Sequence, residues 1–242
     1  MKNVSAVVAS CLVGIVGLAT AASAANVRVV HASPDAPAVD VTANGGVIIP
    51  GLAFRQASSY LAIPEGNYTI GVNAAGTATQ VFSTPLGVPA TGDITVAAIG
   101  RLTSSPSTFT VLPLLDDNSL IADRARIRFV HLSPNAPAVD ITTTAGDILF
   151  GDVTFTENAG YIAVPGGIYN LQVRLAGTST VVLDVPGLSV NNNTVYSVFA
   201  MGLVGGEGDQ ALQAIPVVDA IPTPGALALL GLGGLLATRR RR

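Results

Sequence analysis

One duplicated stretch constrains this chain more than any other feature. Val27 to Val41 reads VRVVHASPDAPAVDV and Ile127 to Ile141 reads IRFVHLSPNAPAVDI, identical at ten of fifteen positions and offset by 100 residues. That offset is the length of a whole domain, whereas solenoid units run to about 20–50 residues. Later segments repeat at an offset of 101: Tyr161 to Val173 matches Tyr60 to Val72, and Leu175 to Thr178 matches Ala74 to Thr77. The sequence predicts two copies of one module, at 25–122 and 123–220, behind a leader at 1–24 and ahead of a tail at 221–242. The short polar join, Asp116 to Arg124, predicts modules set end to end with limited freedom.

Within each copy a strand-like run leads into a proline-rich turn and a second run. Side chains alternate along a strand, so Val27, Val29 and His31 share one face, as do Ile127, Phe129 and His131. Pro34 and Pro37, like Pro134 and Pro137, fix φ and remove amide donors, so the ladder stops there. Ser33 and Asp35 can bond to turn amides locally, and Ser133 stands in the place of Ser33 in the second copy. Two readings compete. In one, His31, Asp35 and Asp40 form a metal or acid–base site, echoed at His131, Asn135 and Asp140. In the other, the histidine closes the core face and bonds to the turn backbone, while Asp40 takes turn amides or pairs with Arg28. The second is the expected one: zinc wants three or four His, Cys or carboxylate ligands, and each copy supplies one His and no Cys.

Strands are predicted in the first copy at 27–31, 38–43, 57–63, 67–74, 78–83, 93–100 and 107–114. They are short, β-branched and separated by Gly, Pro, Asn or Ser, and no helical period appears. Seven such strands in about 100 residues predict an all-β chain of two antiparallel sandwiches, immunoglobulin-like or fibronectin-like. Pro64-Glu65-Gly66-Asn67-Tyr68 and Pro165-Gly166-Gly167-Ile168-Tyr169 read as corners pinned by a phenol, which makes Tyr68 and Tyr169 structural.

Taken together, His31 to Asp40, Tyr60 and the Pro64–Tyr68 turn, repeated at His131 to Asp140, Tyr161 and Pro165–Tyr169, resemble the bacterial domain-of-unknown-function family 4397. The resemblance implies exported, often tandem, β-rich modules, and no agreed activity.

The termini point to export. Lys2 precedes an apolar run, Val4 to Ala19, and Ala22-Ser23-Ala24 is a small-x-small cleavage pattern, with cutting expected between Ala24 and Ala25. The tail reads PTPGALALLGLGGLLATRRRR. Its 12-residue apolar run, Ala226 to Ala237, would extend about 18 Å as a helix against a hydrocarbon core of about 30 Å. Pro222, Pro224, this helix and Arg239, Arg240, Arg241 and Arg242 resemble a PEP-CTERM sorting tail, with Thr223 where Glu is usual. That resemblance implies an exosortase-like processing enzyme as partner, besides the export machinery, and transient anchoring in the inner membrane of a Gram-negative cell.

Charge and residue types narrow the function. Setting aside Lys2 and the terminal arginines leaves 7 basic residues against 15 acidic, which argues against nucleic acid. The one cysteine, Cys11, lies in the leader, so no disulfide is expected in the mature chain. With two histidines and no Gly-x-Ser-x-Gly, His-Glu-x-x-His or phosphate loop, no catalysis and no cofactor are expected. The expected role is a structural or adhesive protein of the cell surface or extracellular matrix. The alternative is a glycan- or calcium-binding module, with a surface polysaccharide as candidate partner and Asp116 and Asp117 as weak metal candidates.

Overall fold

The computed structural model describes residues 23–222. The first half holds β1 (Ala24–His31), β2 (Val39–Ala43), β3 (Gly46–Leu52), β4 (Leu61–Pro64), β5 (Gly66–Ala74), β6 (Gln80–Val88), β7 (Asp93–Ile99) and β8 (Thr110–Asp116). The second holds β9 (Ala125–His131), β10 (Val139–Thr143), β11 (Ile148–Val153), β12 (Asn158–Val164), β13 (Gly167–Leu175), β14 (Val181–Val190), β15 (Thr194–Met201) and β16 (Gln213–Ala220). The only helical turn among the described residues is the 3-10 segment Gly208–Gln210. The apolar helices expected at the two termini lie outside the described residues.

The strands form four sheets, ordered β4-β1-β7-β8 and β3-β2-β5-β6 in the first half, β12-β9-β15-β16 and β11-β10-β13-β14 in the second. Within each half the two sheets enclose one core. In the first, Val27 and Val29 meet Val39, Val41, Ile70, Val72, Ile94 and Val96. In the second, Ile127 and Phe129 meet Val139, Ile141, Leu171, Val173, Tyr196 and Val198. The fold is all-β and sandwich-like.

Three expectations change. First, pairing is not wholly antiparallel: β1 runs parallel to β7 and β9 parallel to β15. Strand order also differs from an immunoglobulin constant domain, where the first two strands share a sheet. Here the turn at Pro34 and Pro37 cannot continue a hairpin ladder, and it carries the chain from β1 in one sheet to β2 in the other. Second, β3 and β11 add an eighth strand to each half. Gly46, Pro50 and Gly51 hide β3 from a sequence reading, yet it lies at a sheet edge, where proline is tolerated and bulges are common. Prolines also interrupt the edge strands β6, β8, β14 and β16, at Pro85, Pro113, Pro186 and Pro216, which blunts edge-to-edge aggregation.

Third, the halves do not sit end to end. The sheets carrying β1 and β9 pack face to face through Val30, Ala97, Ile99 and Leu114 of one half and Val130, Phe199 and Met201 of the other. The cause is written in β7 and β15, DITVAAI and TVYSVFAM, which are mostly apolar and buried on both faces. A strand buried on both sides reads as a continuous apolar run, not as an alternation. These two sheets are the inner layers of a four-layer stack, and the sheets carrying β2 and β10 are the outer layers.

Candidate functional site

The duplicated turn is built around its histidine. His31 is fully buried, its Nε2 lies 2.9 Å from the Pro37 carbonyl oxygen, and its Nδ1 faces the Ser33 amide at 3.4 Å. His131 repeats this with Pro137 at 3.1 Å and Ser133 at 3.3 Å. Those neighbours assign a neutral ring, protonated on Nε2 and accepting at Nδ1. Burial pulls the pKa of both imidazoles down, partly offset by the carbonyl bond. Phe54 and Phe155 pack edge-on against the two rings at 6.1 and 6.3 Å.

Asp35 reaches away from its own turn. It accepts from the Leu102 amide at 2.7 Å and from the Thr103 amide and hydroxyl at 3.1 and 2.6 Å. Burial raises its pKa, but these bonds and Arg101 outweigh that and leave it lowered. Asn135 does the equivalent work with a neutral amide, pairing with both the N–H and the carbonyl of Val204. The change from Asp to Asn between copies therefore preserves a loop tie.

Asp40 accepts the amides of Gly51 at 2.7 Å and Gly76 at 2.8 Å, one carboxylate oxygen each. Asp140 accepts those of Asp152 at 2.7 Å and Gly177 at 2.9 Å. Each aspartate fixes a bulged edge strand and a hairpin loop to the outer sheet. Tyr68 and Tyr169 donate to the carbonyls of Pro64 at 3.0 Å and Pro165 at 2.7 Å, four residues upstream. His31, Asp35 and Asp40 thus bond to different backbone segments rather than to a shared centre.

Arg28 does not pair with Asp40. It crosses to the other half, where Nη2 donates to Asp219 Oδ1 at 2.6 Å. Arg128 returns the contact, donating to Asp116 Oδ1 of the first half. All four side chains are essentially fully buried. Two hydroxyls close the circuit. Thr95 accepts from Arg28 Nε at 2.7 Å and donates to Asp116 at 2.7 Å. Ser197 accepts from Arg128 Nε at 2.6 Å and donates to Asp219 at 2.5 Å. Running Arg28, Thr95, Asp116, Arg128, Ser197, Asp219 and back to Arg28, the ring of hydrogen bonds crosses between halves twice, as two copies of one face would about a twofold axis.

Tyrosines cap the ring. Tyr60 lies under Arg28 at 4.8 Å and donates to Asp116 at 2.6 Å; Tyr161 lies under Arg128 at 5.1 Å and donates to Asp219 at 3.4 Å. Cation–π contact and hydrogen bonding thus converge on each phenol. Burial pushes the Tyr161 phenol up to about 12 and raises Tyr60 further. Burial also raises Asp219, against the pull of Arg28.

Both weak metal candidates are held by arginines. Asp116 is in the ring, and Asp117 pairs with Arg126 Nη2 at 2.7 Å, a bond that lowers the Asp117 pKa. Among the described residues no group of three or more His, Cys, Asp or Glu could hold a metal ion. Ala24 and Ala25 lie in β1, where Ala25 is fully buried against the core. Pro222 ends the described chain; Pro224 and Arg239 to Arg242 lie outside it.

The ring was the site that sequence reading missed. A signal existed: Arg28 and Arg128 stand in the same register between apolar residues, and Asp116 and Asp219 stand at the C-terminal ends of β8 and β16. A charged residue in a two-face-buried strand demands a buried counter-charge.

No curated protein matches the chain. Residues 25–142, which cover the first half and the second copy of the His-Ser-Pro turn, match the family model described as a domain of unknown function, DUF4397.

Proposed function

We propose that the protein is an exported structural or adhesive element of the bacterial cell surface or extracellular matrix, without catalysis of its own. The support that carries most weight is the double arginine–aspartate ring, Arg28–Asp219 with Arg128–Asp116. It makes a stiff twin unit out of two modules that a flexible join could have left independent. The reactive side chains of the duplicated motif are spent on backbone: the histidines on proline carbonyls, Asp40 and Asp140 on loop amides. The leader and the arginine-ended tail supply the address, with an exosortase-like enzyme as the processing partner.

The experiment is an in-frame deletion in the native host, complemented with the wild-type chain or with Asp219→Asn. The reading predicts loss of attachment or matrix integrity on deletion and restoration by the wild-type chain only. It also predicts recovery of the protein in the envelope or medium fraction. Unchanged attachment and matrix, or retention in the cytoplasm, contradicts it.

A further inference from the structure

The features that hold the fold are present in both halves: the turn histidines, the loop-binding aspartates, the corner tyrosines and the arginine ring. A side-chain relay on the outer sheet is present in the second half and has no counterpart in the first. On the solvent-facing side of the second half's outer sheet, Asp184 accepts from Gln172 Nε2 at 2.9 Å. Gln172 Oε1 in turn accepts from Arg174 Nη2 at 2.7 Å and Nε at 3.2 Å. The equivalent register positions in the first half are Ser83, Gly71 and Asn73. The sandwich forms without this relay, so its presence in one copy calls for a reason other than folding.

The relay aims a guanidinium into a cleft. Arg174 lines an open cleft of about 370 Å³ together with Asp140, Thr142, Ile148, Thr178 and Ser179. That volume lies within the roughly 300–1,000 Å³ of small-ligand sites. Arg174 Nη1 makes no hydrogen bond in the relay and lies beside Gly146, where even a Cβ would come within 3.4 Å of it. At the floor, Thr142 is 2% exposed and its hydroxyl has no hydrogen-bond partner. An unpartnered buried hydroxyl costs stability.

We propose that this cleft binds a neutral, hydroxyl-rich ligand of the sugar class. Arg174 offers free donors; the Asp140 carboxylate keeps lone pairs beyond its two amide bonds; Thr142, Thr178 and Ser179 offer hydroxyls that donate or accept. Two carboxylates, Asp140 and Asp184, stand with one guanidinium, so the site has no net positive charge to select an anion. Ile148, 61% exposed, supplies an apolar patch for the C–H face of a ring. No aromatic ring stands in the lining, so recognition rests on the polar groups and Ile148. The inference goes beyond the structural role, which requires no ligand.

The test is ligand-observed NMR and titration of the full chain with methyl glycosides of glucose, galactose, mannose and N-acetylglucosamine, their oligosaccharides, and galacturonic acid. Two variants separate binding from folding. Arg174→Asn copies the residue that the first half carries at this position. Thr142→Val removes the unpartnered hydroxyl at nearly constant shape. The proposal expects saturable binding of at least one neutral glycoside, weakened about tenfold or more by Arg174→Asn, the loss typical of a bond from a charged donor. It expects weaker binding in Thr142→Val with a melting temperature at or above that of the wild type. No saturable binding across the panel overturns the proposal. So does equal binding by both variants and the wild type, or tighter binding of galacturonic acid than of every neutral glycoside.

Discussion

Arg28 Nη2 donates to Asp219 Oδ1 at 2.6 Å, joining residues 191 positions apart and tying the first strand of one half to the last strand of the other. Arg128 and Asp116 make the same contact in reverse. Buried ion pairs are weak contributors to net stability, because desolvating the charges offsets their attraction. Their expected effect here is on specificity. An apolar face such as Val30, Ala97 and Phe199 tolerates sliding; the ring fixes one register between the two inner sheets.

Breaking one partner leaves a buried charge alone. Arg28→Met is expected to cost about 3–5 kcal/mol in urea unfolding. The double variant Arg28→Met with Asp219→Leu is expected to recover most of that loss, because both charges then leave the interface. A double variant as unstable as the single one would show that the ion pair itself, not the stranded charge, carries the energy.

The turn histidines predict acid sensitivity of a definite sign. Both imidazoles have folded pKa values lowered by burial. The unfolded chain therefore takes up protons near pH 6.5 while the folded one does not. Their contribution is complete above about pH 6.5 and is lost as pH falls below it, levelling off once the folded rings protonate. Asp219, raised by burial, slopes the opposite way, its contribution lost as pH rises above the ordinary carboxylate range. Melting curves from pH 4 to pH 8 should show a fall in stability below pH 6.5 that disappears in His31→Asn with His131→Asn. A wild-type curve flat between pH 5 and pH 7 would count against a neutral buried ring.

Asp40→Ala strands the amides of Gly51 and Gly76, and the expected cost is about 1–3 kcal/mol for each. Asp140→Ala should match it through Asp152 and Gly177. The two sites lie in separate outer sheets and share no partner, so their costs should add in chemical denaturation.

Tyr68→Phe removes one hydrogen bond, to the Pro64 carbonyl, and keeps the ring. About 0.5–1.5 kcal/mol of stability should be lost, with no change in the denaturant m-value. A larger loss would mean that the phenol holds more than its own corner.

Much of this was legible in the chain, and what was hidden had physical causes. The duplication, the all-β class and the proline stop after His31 follow from local pattern. Local pattern points Asp40 to the amides of its own turn or to Arg28; the amides it takes, of Gly51 and Gly76, lie 11 and 36 residues away. The edge strand β3 was obscured because Pro50 and Gly51 mark turns everywhere except at an unpaired sheet edge. The partner of Arg28 lies almost two hundred residues away, and no periodicity encodes such a distance. The face-to-face stacking was foreshadowed by the mostly apolar run of β15, whose two buried faces demanded two neighbours.

The central claim is that the two halves form one cooperative body locked by the arginine–aspartate ring. Differential scanning calorimetry of the wild type and Asp219→Asn tests it most directly. The account predicts a single wild-type transition with calorimetric and van't Hoff enthalpies equal, and a split or broadened transition at lower temperature in the variant. Two resolved transitions in the wild type, unmoved by Asp219→Asn, would contradict it.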